Sequence, residues 1–146
     1  MTELFTDNFT VNAIDPEGRS FDNIQRIVCS NESGDSQLIL DINSQLYEMR
    51  QDEYFSLVIS QEISTEAPSD STHWHPGMLQ NSTFASKFDY IMYGKVYRYE
   101  EDSANHKATV YVSFGGLLMK LTGEQHALSQ IPIARNVYLL MREIKS

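Results

Sequence analysis

Apolar and polar residues alternate with a period of two along most of this chain, the signature of strands covered on one face. Phe5, Phe9, Val11 and Ala13 alternate with polar neighbours up to the turn signal Asp15-Pro16-Glu17-Gly18. Ile24 to Cys29 forms a second β-rich run, closed by Asn31-Glu-Ser-Gly34-Asp. Leu38, Leu40 and Ile42 mark a third strand, drawn as continuing toward Tyr47, and Phe55, Leu57 and Ile59 mark a fourth. Strand character returns over Phe88 to Tyr99. There Phe88, Tyr90 and Met92 share one face, and beyond Gly94 the best apolar set is Tyr97 and Tyr99. A change of face at a glycine predicts a β-bulge or barrel corner at Gly94.

An acidic turn, Glu100-Glu-Asp102, is expected next, followed by a strand from Ala108 to Phe114. Gly115-Gly116 is the strongest hairpin signal and leads into Leu117 to Leu121. One helical turn fits between Glu124 and Ile131, and Val137 to Met141 closes the series. About eight short strands and no helix beyond two turns predict an all-β, single-domain barrel over residues 1–146, because closure removes exposed strand edges. Between the fourth and fifth strands, residues 61–86 hold three acids, no Lys or Arg, and no apolar period. That stretch is predicted as one long surface loop of a disordered type of composition, either functional or simply tolerated.

Charge changes the picture next. Twenty acidic residues face eleven basic ones, a formal net charge of −9. Such a balance opposes contact with a phosphate backbone, which depends on Lys and Arg displacing counterions. It favours a basic protein partner. The single cysteine, Cys29, builds no internal disulfide and is expected buried on a strand, in a reducing compartment. Neither a signal-peptide pattern nor an apolar run of about 20 residues is present, so no membrane contact is expected. The sequons at Asn8, Asn31 and Asn81 are taken as chance matches.

Chemical candidates are few. His73-Trp-His75 places two imidazoles on one side of an extended segment, but no cysteine pair completes a four-ligand zinc site. No nucleophile elbow, phosphate-binding loop or carboxylate dyad stands out, so no catalytic residue, metal or cofactor is assigned. The aromatic strand has two readings. Tyr93, Lys95, Tyr97 and Arg98 supply the residue types of a stacking platform for single-stranded nucleic acid. Alternatively, its rings fill the barrel and meet a protein. In Phe114-Gly-Gly-Leu-Leu-Met119, Leu117 and Met119 share one face and Leu118 takes the other, which hints at a covered outer surface. The candidate partner interface is therefore Tyr90, Tyr93, Gly94, Lys95, Phe114, Gly115, Gly116, Leu117, Leu118 and Met119.

Two of these stretches carry a family resemblance. Phe88-Asp-Tyr-Ile-Met-Tyr-Gly-Lys-Val-Tyr-Arg98 and Tyr111-Val-Ser-Phe-Gly-Gly-Leu-Leu-Met-Lys-Leu-Thr-Gly123 resemble the motifs of the small subunit shared by eukaryotic nuclear RNA polymerases I, II and III. Leu4-Phe-Thr-Asp-Asn-Phe9, Ile14 to Asp22, Leu40-Asp-Ile-Asn43 and Val137 to Arg142 match in the same order. The resemblance implies an OB-fold-type barrel of eight strands, bound chiefly to the largest polymerase subunit and contributing to assembly and stability. It also implies a location in the nucleus, including the nucleolus, with no cofactor and no catalytic residue. His73-Trp-His75 is not part of the family pattern, so no role for it is inherited.

Overall fold

The computed structural model describes residues 3–16, 18, 23–62 and 88–144. Most of the predicted loop at 61–86, with His73-Trp-His75 and Asn81, lies outside the described residues. Eight strands form: β1 (Glu3–Ile14), β2 (Ile24–Asn31), β3 (Gln37–Asn43), β4 (Tyr54–Ser60), β5 (Tyr90–Asp102), β6 (Lys107–Phe114), β7 (Leu117–Glu124) and β8 (Asn136–Glu143). One helical turn, α1 (Gln125–Leu128), sits where the sequence places it. The strands close into a barrel in the order β1-β2-β3-β7-β6-β5-β8-β4, all neighbours antiparallel. The all-β closed barrel expected from the periodicity is what the chain forms.

The period of two is what fills the interior. Along β6, Ala108, Val110, Val112 and Phe114 point inward between half-exposed partners. Phe9, Ile27, Leu38, Leu40, Phe55 and Leu57 are fully buried with them in one core. Each such side chain contributes about 1.5–3 kcal/mol on burial. Strand β8 is apolar from Val137 to Met141 because both its faces are covered there. Val137, Leu139 and Met141 enter the core, while Tyr138 and Leu140 form a second cluster with Val58, Phe88 and Ile91.

Several local expectations shift. Phe88 joins that outer cluster and does not share the inward face of Tyr90 and Met92. The change of face in β5 falls at Tyr97, where the β5–β6 register slips between Val96 and Arg98, and not at Gly94. Val96 therefore continues the inward series, Tyr97 stays outside, and Tyr99 packs against the core. Gly94 is needed for space: a Cβ there would lie 2.3 Å from the Ser113 carbonyl oxygen and 2.5 Å from the Phe114 ring. In β1 a similar slip between Val11 and Ala13 turns Ile14, and not Ala13, toward the core. Glu100-Glu-Asp102 is strand, paired to Thr109, Ala108 and Lys107, so the turn comes after it. Strand β3 ends at Asn43, and Tyr47 returns to stack on Tyr90 with ring centroids 5.4 Å apart.

Candidate partner-binding face

The outer surface of β5, β6, β7, β3 and β2 brings the surface-facing candidates together. Cross-strand pairing sets two adjacent rows, since directly opposed residues on one face lie within contact range. The first row runs from Lys95 to Ser113, then Leu118, then Asp41, then Arg26. The second runs from Arg98 to Tyr111, Lys120, Ile39 and Val28.

One half of this face is aromatic and cationic. Tyr93 and Tyr97 are each 48% exposed on β5, on either side of Lys95. Tyr97 approaches Tyr111 at 6.0 Å, and the Arg98 guanidinium and Lys120 ammonium lie 5.5 and 6.0 Å from the Tyr111 ring centroid. Cations over a tyrosine face are drawn by the ring quadrupole. Glu100 accepts from Arg98 at 2.8 Å. A hydrogen bond from the Tyr111 hydroxyl to Glu100 holds that carboxyl below its ordinary range and raises the phenol. The cluster is thus fixed by its own contacts, with its rings still open to solvent.

The other half is a groove of about 350 Å³ beside the β6–β7 hairpin, walled by Ile24, Val28, Ile39 and Leu118. Its floor is Asp41, whose carboxylate accepts from Arg26 Nε at 2.7 Å, Arg26 Nη2 at 3.1 Å and the Leu118 N–H at 3.1 Å. The β3–β7 ladder stops at Leu40 and Met119. Asp41 therefore satisfies a β7 donor that no β3 carbonyl reaches. Gly115 and Gly116 make the hairpin turn with φ of +64° and +103°, both in the left-handed region that a two-residue I′ turn requires.

The ten candidate interface residues divide. Tyr93, Lys95, Gly115, Gly116 and Leu118 are outward and exposed. Tyr90, Gly94, Phe114 and Met119 are buried, and Leu117 is half-buried against the core. Tyr90 is buried and stacked on Tyr47, its hydroxyl accepting the Asn43 N–H at 3.0 Å. These inward residues position the hairpin and strand that carry the exposed ones. All four nucleic-acid candidates, Tyr93, Lys95, Tyr97 and Arg98, are exposed on β5. Sequence reading missed the groove residues Ile24, Arg26, Val28, Ile39 and Asp41. For Val28 and Ile39 the signal was present: Ile27-Val28 and Leu38-Ile39-Leu40 put apolar residues on both faces of β2 and β3.

Among the described residues no group of three or more His, Cys, Asp or Glu is placed to hold a metal ion. Burial pushes the Cys29 thiol up to about 12, which leaves it an inert core residue. The Asn31 amide donates to Asp7 at 3.0 Å and Asp35 at 2.6 Å and is buried. A sequon asparagine so engaged has no amide to offer a glycan.

Comparison with known proteins bears on the same chain. The family model described as RNA polymerase Rpb8 matches residues 6–143. A Caenorhabditis briggsae protein named as a probable subunit RPABC3 of DNA-directed RNA polymerases I, II and III is 38% identical over 143 residues, covering 96% of this chain and 95% of that one. The Dictyostelium discoideum subunit rpabc3 is 34% identical over 140 residues, with 96% of each chain covered. The Saccharomyces cerevisiae subunit RPABC3 is 35% identical over 145 residues, covering 95% of this chain and 97% of that one. Such proteins are accessory, not catalytic, components of DNA-directed RNA polymerase. With that match running almost from end to end of the barrel, the chain belongs to the RNA polymerase Rpb8 family.

Proposed function

We propose that this chain is a non-catalytic subunit shared by nuclear RNA polymerases I, II and III, working as one domain over residues 1–146. It packs its barrel against the largest subunit and contributes to assembly and stability of the enzyme, in the nucleus, including the nucleolus. The observation that carries this reading is the family match over residues 6–143, which takes in most of β1 and all of the other seven strands. The exposed part of the candidate interface supports it. Leu118 is 40% exposed beside an apolar groove, and the neighbouring tyrosines are the residue type that anchors protein interfaces.

Co-purification tests it. A tagged chain is expected to recover the largest subunits of all three nuclear polymerases; recovery of none of them sinks the reading. A direct single-strand binder is the second reading, favoured by the shared exposure of Tyr93, Lys95, Tyr97 and Arg98 on β5. Its mark is an affinity for an oligonucleotide that falls steeply with salt. The net charge of −9 and the engagement of Arg98 by Glu100 weigh against it. No binding by the isolated chain at low salt removes it.

A further inference from the structure

The sign of the charge on the candidate face is opposite to that of the chain. The molecule carries −9 overall, yet two cations, Arg98 and Lys120, stand over Tyr111 and a third, Lys95, lies in the adjacent row opposite Ser113, against one carboxylate, Glu100. The basic partner expected from net charge alone does not suit this surface. Two strands away the groove has apolar walls in Ile24, Val28, Ile39 and Leu118, while Asp15 and Asp41 also line it and its one cation, Arg26, is held by Asp41. Resting on the reading of this chain as a polymerase subunit, we propose that the face docks one extended segment of the partner polypeptide. That segment places an apolar side chain in the groove between Leu118 and Ile39 and an acidic residue over the Tyr97–Tyr111–Lys120 cluster.

Geometry sets the spacing. Neighbouring strands lie about 4.8 Å apart and Tyr111 sits two strands from Ile39 by way of Lys120, so the groove and the centre of the aromatic cluster are separated by about 7–10 Å across the sheet. An extended chain covers about 3.3 Å per residue, which puts the apolar and acidic positions two or three residues apart. Charge complementarity favours a carboxylate at one end, and the apolar walls favour desolvation of a Leu- or Phe-sized group at the other. A nucleic-acid strand would also meet the cations and rings. It has nothing to place against Ile24, Val28 and Ile39, and the remainder of the chain repels it.

The test uses the full chain inside the assembled polymerase. The photo-crosslinker p-benzoylphenylalanine is placed at position 97 or position 118, the tagged subunit is purified with its polymerase, and the crosslinked product is sequenced. Both positions are expected to capture the same partner segment, apolar opposite 118 and net negative opposite 97. Lys95→Glu and Lys120→Glu together are expected to lower the polymerase-bound fraction at least tenfold, with an unchanged thermal melt showing that the barrel is intact. A net positive segment, a nucleic-acid adduct, two unrelated segments, or no crosslink from either position overturns the proposal while leaving polymerase membership standing. A chain that never co-purifies overturns both readings.

Discussion

Two glycines in this barrel exist for opposite reasons, and their substitutions separate them. At Gly94 the backbone conformation is ordinary, but an added Cβ would run into the Ser113 carbonyl and the Phe114 ring. Both obstacles belong to a packed strand, so Gly94→Ala is expected to destabilise by about 3 kcal/mol, as overpacking of a filled core does. At Gly116 nothing lies within 4 Å of a built Cβ, and the demand is the φ of +103° alone. Gly116→Val should cost about 2 kcal/mol through backbone strain. Chemical denaturation checks both, and a Gly94→Ala protein as stable as the parent would refute the close approach. Cys29 offers a test in pH. Its thiol rises from 9.0 to about 12 because burial disfavours the thiolate. The folded state therefore holds this proton more tightly than the unfolded state. The resulting stability is fully present below about pH 9 and is lost as pH rises toward 12. Cys29→Ala should show a shallower alkaline loss, and maleimide labelling of the parent should follow unfolding; rapid labelling of the native protein would contradict the burial.

At the scale of strands and hairpins, Asp41 ties three elements. It pairs with Arg26 on β2 and accepts the Leu118 N–H of β7 where the β3–β7 ladder has ended. Asp41→Ala leaves the Leu118 N–H without its acceptor and removes two hydrogen bonds from the Arg26 guanidinium, and is expected to cost about 2 kcal/mol. Arg26 is half-exposed, so the ion pair itself accounts for the smaller share. A double-mutant cycle over Arg26→Met and Asp41→Leu should return a coupling of about 1 kcal/mol, whereas simple additivity would show that the bridge is inert. None of this was legible in the sequence. The inward residues Phe9, Leu38, Leu57 and Val110 were readable because pleating repeats every second residue. Gly115-Gly116 announced its hairpin because two left-handed residues in succession call for glycine. The register slips at Tyr97 and Asn12 were not readable: any residue can occupy the extra position, and only the partner strand decides where pairing resumes. The same limit divided the candidate interface. Tyr90 and Tyr93 look alike in sequence, yet one is buried in the core and the other faces solvent.

For the whole molecule, closure is the controlling feature, and it depends on distant segments meeting. Strand β1 pairs with β4, β4 with β8, and β3 with β7, so the barrel is incomplete until the two ends of the chain have come together. One continuous core joins residues from all eight strands. No subset of strands keeps a covered face and a paired edge by itself, which predicts a single cooperative unfolding transition for the isolated chain. Tyrosine near-ultraviolet dichroism, reporting rings such as Tyr47, Tyr90 and Tyr138, should melt together with the far-ultraviolet strand signal. Folding should be slow, on the order of milliseconds to seconds, because loop-closure entropy is lost before these long-range pairings form. Partner binding enters the same equilibrium. If the Leu118 groove and the Tyr111 cluster hold a partner segment only in the closed barrel, incorporation into the polymerase raises the barrel's apparent stability by mass action. A subunit whose hydrogen-exchange protection in β3 and β7 is the same free and assembled would show that these strands are not where the partner is held.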